Sequence, residues 1–332
     1  IDPAQGSSNF LLYAFDLFYD LYQDQIDNYG ASYNIADIPK LIIEKNLHGI
    51  DLDDRAIQLG QLGLYIKAKR KKRTVKIDHF NIVSSDFYLP PYEQVKHLFE
   101  NGEPLDVELE KIVIALWDDL QQAYKFGSLI RLEEQFNAKI DSLVTQFQRA
   151  QLNMFSEGSL ANYENFRDNI LDNLKFAVNQ NVAKQGLTFL NTKTQDAIIF
   201  LDLLTQKYDV AVANSPYTDS ADFGPELKKF VDANYKIPYK FNTNLYATFI
   251  KRCSELVCET GKVAMVHPPT FMYIKTFEDV RKFILDKMHI SIFVEWGYLG
   301  MFHPSARVDS AMYILEKGTK NEKTQFIKLN DI

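Results

Sequence analysis

A short apolar run followed at once by a polar and aromatic tetrapeptide places the strongest constraint on the fold of this chain. Residues 209–213 read Asp-Val-Ala-Val-Ala, and Asn214-Ser215-Pro216-Tyr217 follows directly. So brief an apolar run predicts a buried parallel strand, with the tetrapeptide at its carboxyl end. Open α/β sheets place their ligands there. The tetrapeptide is therefore predicted to be a functional site, although Asn-x-Pro-Tyr taken alone is also an ordinary turn.

A second predicted strand, at residues 46–51, also ends in carboxylates. In nucleotide-binding α/β folds, a carboxylate at this place accepts the ribose hydroxyls of a nucleoside cofactor. Asp51 is predicted to take that role. Asp53 is better explained as the N-cap of the helix that begins beside it.

Two further segments resemble the cofactor-binding motifs of S-adenosylmethionine (SAM) methyltransferases. The opening Ile1-Asp2-Pro3-Ala4-Gln5-Gly6-Ser7-Ser8-Asn9-Phe10-Leu11 resembles their Asp-Pro-Ala-Cys-Gly-Ser-Gly-x-Phe-Leu loop. The pair Asp86-Phe87, after a third predicted strand at residues 79–84, resembles their Asp-Phe pair that receives the cofactor's adenine. The resemblance implies that SAM is held by Asp2, Gly6, Asp51, Asp86 and Phe87.

The tetrapeptide resembles the Asn-Pro-Pro-Tyr signature of methyltransferases that act on adenine in DNA or on glutamine in proteins. An amino group conjugated to a ring is a poor nucleophile, and hydrogen bonds from its N–H groups to fixed acceptors help to release its lone pair. The resemblance implies that Asn214 and the Ser215 carbonyl are these acceptors and that Tyr217 stacks on a base flipped out of the duplex, with Pro216 completing the catalytic signature.

Segments 242–253 and 261–268 extend the resemblance toward the end of the chain, and the chain resembles the PglX family, the adenine-specific DNA methyltransferases of BREX phage-defence systems. It implies an α/β fold with a doubly wound, mostly parallel sheet. Strands near residues 291–296 and 308–316 would close that sheet with an antiparallel edge. We expect a SAM-binding half at 1–91, a helical insertion between the third and fourth strands at 92–205, and a catalytic half at 206–332.

The function that the resemblance implies is site-specific N6-methylation of adenine in double-stranded DNA, as part of phage defence and with other defence proteins as possible partners. The amino nitrogen carries its own lone pair, so the reaction needs no metal ion and no covalent intermediate, and positioning and electrostatics supply the catalysis. The histidines show no metal-ligand spacing, and we expect no metal site.

Two other functions remain open. Gln5, Ser8 and Ser215 replace the Cys, Gly and Pro of the family motifs, and a serine at a position of positive φ costs about 1–2 kcal/mol. A methyltransferase fold that has lost catalysis and serves as a DNA-binding or partner-binding scaffold is therefore one alternative. A protein glutamine methyltransferase is the other, although those enzymes are compact and usually lack so large an insertion.

Two surface features are ambiguous. Apolar residues recur at helical spacing on both sides of Gly127, over 107–124 and 129–147, and predict an αα-hairpin. The basic run at 67–73 either contacts phosphate or a partner, or forms a solvated helix end that compensates the helix dipole. We favour the second interpretation, because a helix that starts at the carboxyl edge of the sheet ends at the opposite edge.

The composition is that of a protein with a substantial core, since 46% of its 332 residues are hydrophobic. No apolar stretch is long enough to span a membrane, and we expect a cytoplasmic prokaryotic protein. The net charge of −7 is unusual for a protein that binds DNA unaided. The chain starts almost on the glycine loop, so we expect a fragment of a longer protein whose other regions supply sequence recognition and much of the DNA affinity.

Overall fold

A computed structural model describes residues 1–87, 89, 91–96, 107–132, 134, 188–297, 309–318 and 323–329, which form a mixed α/β structure. The chain divides into two compact units. The first comprises Ile1–Asp51, Arg55–Ile82 and Gln206–Ile332, and the second comprises Leu52–Asp54 and Val83–Thr205.

The strands within the described residues form two hydrogen-bonded sheets. They are β1 (His48–Asp51), β2 (Asn81–Ser84), β3 (Tyr208–Ala213), β4 (Val257–His267), β5 (Met288–Gly297), β6 (Ser310–Lys317) and β7 (Gln325–Lys328). β1 pairs with β2, and the larger sheet has the order β3-β4-β6-β5-β7. The predicted strands at 46–51, 79–84 and 209–213 are confirmed as β1, β2 and β3, with bounds that differ by a few residues.

The larger sheet is mixed, and its antiparallel strand, β6, lies inside the sheet and not at the predicted edge. β3 pairs with β4 and β5 pairs with β7 in parallel, whereas β6 is antiparallel to both β4 and β5. β6 follows β5 in the chain and returns beside it, which is the connection that gives antiparallel pairing. It thereby occupies the position between β4 and β5, and β7 forms the edge.

The first two residues are extended and lie between β1 and β3. The Ile1 nitrogen donates to the Val210 carbonyl at 2.7 Å, and the Val212 N–H donates to the Ile1 carbonyl at 2.8 Å. On the other side, the Asp2 N–H donates to the His48 carbonyl, and Asp2 pairs with Gly49 in parallel. The backbone of Ile1 and Asp2 therefore joins the two sheets through hydrogen bonds.

Helices connect the strands up to β5, and no helix is described between β5, β6 and β7. The helices are α1 (Asn9–Tyr29), α2 (Ile38–Leu41, continued by a π-helical turn at Ile42–Asn46), α3 (Asp54–Lys71), α4 (Tyr92–Val95), α5 (Val107–Gln121), α6 (Ala123–Phe126), α7 (Thr188–Thr205), α8 (Pro225–Tyr235), α9 (Leu245–Leu256), α10 (Thr270–Tyr273) and α11 (Glu278–Lys287).

The core of the first unit includes one face of α1. Leu11, Phe15 and Tyr19 recur every four residues, so they share that face, and all three are buried in a cluster with residues of α2, α3 and β2. Helix α3 runs beside α1 in the same direction. Leu12 of α1 contacts Gly63 of α3, and one turn further along both helices Asp16 of α1 forms an ion pair with Lys67 of α3. The start of α1 and the start of α3 are thus held at the same end of the unit.

The second unit is helical in its described part beyond β2. Trp117 of α5 and Phe200 of α7 are fully buried. Helix α5 covers most of the first arm of the predicted αα-hairpin, and most of the second arm, 129–147, lies outside the described residues.

Candidate active site

The predicted functional motifs of the first unit follow the carboxyl ends of neighbouring, parallel backbone segments. The tetrapeptide follows β3, Asp51 is the last residue of β1, and the loop to Gly6 follows Ile1 and Asp2, which lie between those strands. Since parallel strands end at one edge of a sheet, the folding of this unit brings these motifs to the same edge.

The glycine loop is tied to β1 by two hydrogen bonds. The Gln5 N–H donates to the Ile50 carbonyl at 3.1 Å, and the Gly6 N–H donates to Asp51 Oδ2 at 2.8 Å. Gly6 has φ 51°, and a Cβ built on it would meet none of the described residues within 4 Å. The structure therefore places Asp51 against the loop and leaves the backbone at Gly6 open to a ligand.

Ser8 adopts a left-handed conformation, with φ 67° and ψ 31°, directly before α1. Such a conformation costs a residue with a Cβ about 1–2 kcal/mol. The side chain is fully buried and faces Gly60 of α3, so Ser8 does not add a side chain to the exposed surface of the loop.

The carboxyl group of Asp2 is buried and has an unusual proton affinity. Its Oδ1 accepts the Ala4 N–H at 3.1 Å. Burial disfavours the charged form and raises the pKa of Asp2 to about 7, and the negative charge of Asp51 adds to this shift. Asp2 therefore titrates near neutral pH.

The tetrapeptide Asn214–Tyr217 contains a direct contact between two of its side chains. The Tyr217 hydroxyl donates to Asn214 Oδ1 at 2.7 Å and lies 3.4 Å from the Val266 carbonyl oxygen. Asn214 is exposed and Tyr217 is half-buried. Burial raises the pKa of Tyr217 to about 12, so its hydroxyl keeps its proton over the physiological range. An amide oxygen has two lone pairs, so Asn214 Oδ1 retains the capacity to accept a second hydrogen bond.

Ser215 is buried, and its Oγ has no hydrogen-bond partner among the described residues. The side chain is thus turned away from the exposed surface that Asn214 occupies. The residue before a proline is restricted to extended conformations, so Pro216 restrains the backbone of Ser215.

Sequence reasoning missed the contacts that hold the segment after the tetrapeptide. The Asn244 Nδ2 donates to Asp219 Oδ1 at 2.6 Å, and Asn244 Oδ1 accepts the Tyr246 N–H as the N-cap of α9. The Leu245 N–H donates to the Thr218 carbonyl. An asparagine directly before a helical pattern is a sequence signal for the cap. The contact with Asp219, 25 residues away, has no such signal in the sequence.

His267 ends β4 beside Val266, and it is a buried, neutral packing residue. Its Nδ1 lies 2.9 Å from the Pro268 carbonyl and its Nε2 lies 2.5 Å from the Tyr313 hydroxyl. A carbonyl only accepts, so Nδ1 carries the proton and Nε2 accepts from Tyr313. Burial lowers the pKa of His267 to about 4, and the ring stacks on Tyr246 with centroids 4.2 Å apart.

Asp86 and Phe87 belong to the second unit. The Asp86 N–H donates to Ser84 Oγ at 3.0 Å, and the Asp86 side chain is exposed. The buried Phe87 ring packs against Phe200, with centroids 5.1 Å apart. Their role as the adenine contact stays a prediction.

The basic run at the end of α3 has partners within the first unit. Lys67 pairs with Asp16, Lys69 donates to the carbonyls of Arg73 and Val75, and the Lys71 ammonium lies 3.8 Å from the centroid of the Tyr19 ring. These contacts agree with a helix end that is held by its own surroundings.

No group of side chains suited to a metal ion occurs within the described ranges. None of the helices there is both long and apolar enough to cross a membrane.

Comparison with known proteins places this chain in a family. Residues 45–302 match the family model described as Eco57I restriction-modification methylase. The chain belongs to this family. The match includes Asp51, Asp86, Phe87 and the whole tetrapeptide, whereas the glycine loop precedes it.

Two relatives of this Eco57I-family chain are named adenine-specific methyltransferases. PglX of Lacticaseibacillus casei (strain Zhang) is 26% identical over 85% of the chain, and BrxX of Escherichia coli O9:H4 (strain HS) is 24% identical over 90%. These matches confirm the resemblance on which the sequence predictions rest. They cover only 20% and 23% of the relatives, so the chain spans about a fifth of their length.

The fold of this Eco57I-family chain is also similar to a solved structure. A nuclease-deletion mutant of the Type ISP restriction-modification enzyme LlaGI, in complex with a DNA substrate mimic, matches 99% of the chain and 21% of its own, with a TM-score of 0.50 and 12% sequence identity. At this identity the similarity concerns the fold alone.

Proposed function

We propose that this chain is the methyltransferase region of a SAM-dependent enzyme that methylates the N6 amino group of adenine in double-stranded DNA, within a BREX-type phage-defence system. The observation that carries the proposal is the pair formed by Asn214 and Tyr217 at the carboxyl end of β3, with an exposed amide oxygen beside an aromatic ring. The names of the PglX and BrxX relatives support the same activity and the same biological setting.

The proposed fold is one doubly wound sheet. The backbone of Ile1 and Asp2 supports it, because hydrogen bonds from these residues to β1 and β3 make a continuous series from β2 to β7. On this view residues 92–205 are an insertion between β2 and β3, the third and fourth strands of the sequence prediction.

SAM fits the residues of the glycine loop. The backbone at Gly6 is open, the Ser8 side chain points away into α3, and the Asp51 carboxylate lies against the loop. We assign Asp51 to the ribose hydroxyls and Asp2 to the positively charged end of the cofactor. When bound, SAM supplies the activated methyl group that the adenine amino nitrogen takes up.

The residues of the tetrapeptide position the amino group of a flipped-out adenine. Asn214 Oδ1 and the Ser215 carbonyl accept its two N–H groups, which directs the lone pair of the nitrogen toward the methyl donor. The Tyr217 ring stacks on the base. The hydrogen bond from the Tyr217 hydroxyl holds the amide of Asn214 in place. Asn214 Oδ1 has two lone pairs, so it accepts this hydrogen bond and one from the amino group at the same time.

The test is a pair of variants in the full-length protein. Asn214→Ala is expected to abolish transfer of radiolabelled methyl groups from SAM to DNA while SAM binding, measured by calorimetry, stays nearly unchanged. Asp51→Ala is expected to abolish both. A parallel loss of SAM affinity in Asn214→Ala would remove the acceptor role from this residue.

The scaffold alternative predicts a different result, since it requires that the unaltered protein does not bind SAM. Labelling with protein in place of DNA distinguishes glutamine methylation from adenine methylation. The direction in which Ser8 and Ser215 point favours the enzyme, because both substitutions leave the exposed surface of the site unchanged.

A further inference from the structure

We infer that Gly60 of α3 is a positioning residue for the cofactor loop, because it makes the space in which the side chain of Ser8 is buried. The inference rests on the proposed binding of SAM by this loop. Gly60 lies more than 50 positions from Ser8 in the sequence. Its lack of a side chain explains why this loop accommodates a serine at position 8, where the family motif has glycine.

Ser8 is in an unusual environment for a polar residue. Its side chain is completely buried, and its Oγ has no hydrogen-bond partner among the described residues. Its backbone is also in the left-handed region, where glycine is the preferred residue. Its burial is therefore explained by the fit of its side chain against a neighbouring surface.

Gly60 supplies that surface. A Cβ built on Gly60 would lie 2.1 Å from Ser8 Oγ, 3.0 Å from Ser8 Cβ and 3.4 Å from Ile82 Cδ1. Rotation of the serine hydroxyl would remove only the first of these contacts, since Ser8 Cβ is fixed by the backbone. A Cβ at position 60 therefore requires Ser8 Cβ and α3 to move apart by a few tenths of an ångström, in addition to rotation of the Ser8 hydroxyl. A glycine inside a helix is unfavourable relative to alanine, which makes a close approach of this kind the physical reason for its presence.

A shift at Ser8 reaches the residues that face the cofactor. The Ser8 N–H donates to the Gln5 carbonyl at 2.8 Å, and the Gln5 N–H is itself bonded to β1. Gly6, between them, donates to Asp51 Oδ2. Movement of Ser8 away from α3 therefore changes the position of Gly6 relative to the ribose carboxylate.

Gly63, one turn further along α3, provides a matched control. The three atoms nearest to its added Cβ all belong to the side chain of Leu12, and the nearest of them, Cδ2, lies at 2.9 Å. This is the end of a flexible side chain on α1, and it is able to move without displacing the loop. Gly63→Ala is therefore the same substitution on the same helix without the contact to Ser8.

The experiment compares SAM binding by calorimetry in the full-length protein and in four variants: Gly60→Ala, Gly63→Ala, Ser8→Gly, and the double variant of Ser8→Gly with Gly60→Ala. Gly60→Ala is expected to weaken SAM binding by about tenfold or more, which corresponds to about 1.4 kcal/mol. Gly63→Ala is expected to bind SAM as the unaltered protein does. The double variant is expected to regain the affinity of Ser8→Gly, because neither Oγ nor Cβ remains at position 8 to meet the new methyl group.

A general loss of structure is distinguished by steady-state kinetics. If Gly60 acts on the loop, Gly60→Ala raises the KM for SAM and leaves kcat at saturating SAM and the KM for DNA unchanged. If Gly60→Ala does not fold, the double variant decides: folding with restored SAM binding supports the inference, and failure to fold or to bind overturns it.

Two outcomes separate this inference from the proposed function. If the unaltered protein does not bind SAM, the proposed function fails. If the unaltered protein binds SAM and Gly60→Ala binds it equally well, the proposed function stands and the role of Gly60 is wrong.

Discussion

Removing the hydroxyl of Tyr217 tests whether it acts separately from the ring. In Tyr217→Phe, the 2.7 Å hydrogen bond to Asn214 Oδ1 is lost, together with the longer contact to the Val266 carbonyl. One hydrogen bond contributes about 0.5–1.5 kcal/mol, which corresponds to a roughly twofold to tenfold effect. In the proposed mechanism the hydroxyl orients the acceptor for the amino group, so we expect kcat to fall by this factor and the Kd for SAM to stay unchanged.

The ring contributes a larger effect that a second variant measures. Stacking of an aromatic side chain on a base contributes about 1–3 kcal/mol. Tyr217→Ala loses the stacking as well as the hydroxyl, so we expect it to be impaired considerably more than Tyr217→Phe. Fluorescence of 2-aminopurine at the target position would report the loss of a stacked, flipped-out base in Tyr217→Ala and its retention in Tyr217→Phe.

Tyr22 offers the matched control for the loss of a hydroxyl. Its hydroxyl donates to Asn46 Oδ1 at 3.1 Å, which is the same chemical contact, but Asn46 precedes β1 and is remote from the carboxyl ends of the strands. Tyr22→Phe is therefore expected to leave kcat unchanged. Burial holds the pKa of Tyr217 near 12, so the effect of Tyr217→Phe is also expected to be the same from pH 6 to pH 9.

The reasoning is refuted if Tyr217→Phe methylates DNA at the rate of the unaltered protein while Tyr217→Ala is strongly impaired. That result would assign the whole contribution to the ring. It would also mean that the hydrogen bond to Asn214 is broken before the reaction.

Two further predictions concern Asp2 and Asn244. The raised pKa of Asp2, about 7 against an ordinary 3.8, favours folding at low pH, and this contribution to stability is lost as the pH rises through 7. A cationic cofactor favours the charged carboxylate, so SAM affinity is expected to rise with pH up to about 7. Calorimetry in two buffers of different ionisation enthalpy should detect the release of a proton on binding. In Asp2→Asn both effects should vanish, and their persistence would contradict the assignment of Asp2. Asn244→Ala is expected to lower the melting temperature and kcat. It removes the N-cap of α9, which stabilises the protein by about 1 kcal/mol, and the hydrogen bond to Asp219. Its SAM affinity should be unaffected, and Asn244→Asp, which keeps the cap but faces Asp219 with a second carboxylate, should lower kcat as well.

The sequence was sufficient where a feature depends on neighbouring residues. Short apolar runs that end in polar residues located β1 and β3, and the position of Asp51 at the end of β1 followed from the same pattern. Resemblance to a family then gave roles to residues that spacing alone leaves ambiguous. Each of these inferences needs only a few consecutive residues.

The features that the sequence did not predict depend on residues far apart in the chain. The position of β6 between β4 and β5 depends on which strands pair with each other. The local sequence of β6 is compatible with an edge strand or an interior strand. The direction of the Ser8 side chain depends on Gly60, and the restraint on Asp219 depends on Asn244. None of these pairs has a periodicity or a motif that links its members.

The two serine substitutions in the motifs have the same physical character, and this bears on whether the site is active. At both positions the family motif uses a residue for its backbone, namely positive φ at Ser8 and a carbonyl at Ser215. The structure retains the left-handed backbone at Ser8, with the side chain buried against Gly60. At Ser215 the following Pro216 restricts the backbone, and the side chain is again buried. Because both residues are almost completely buried, substitution by serine changes the packing of the loops more than the surface that they present.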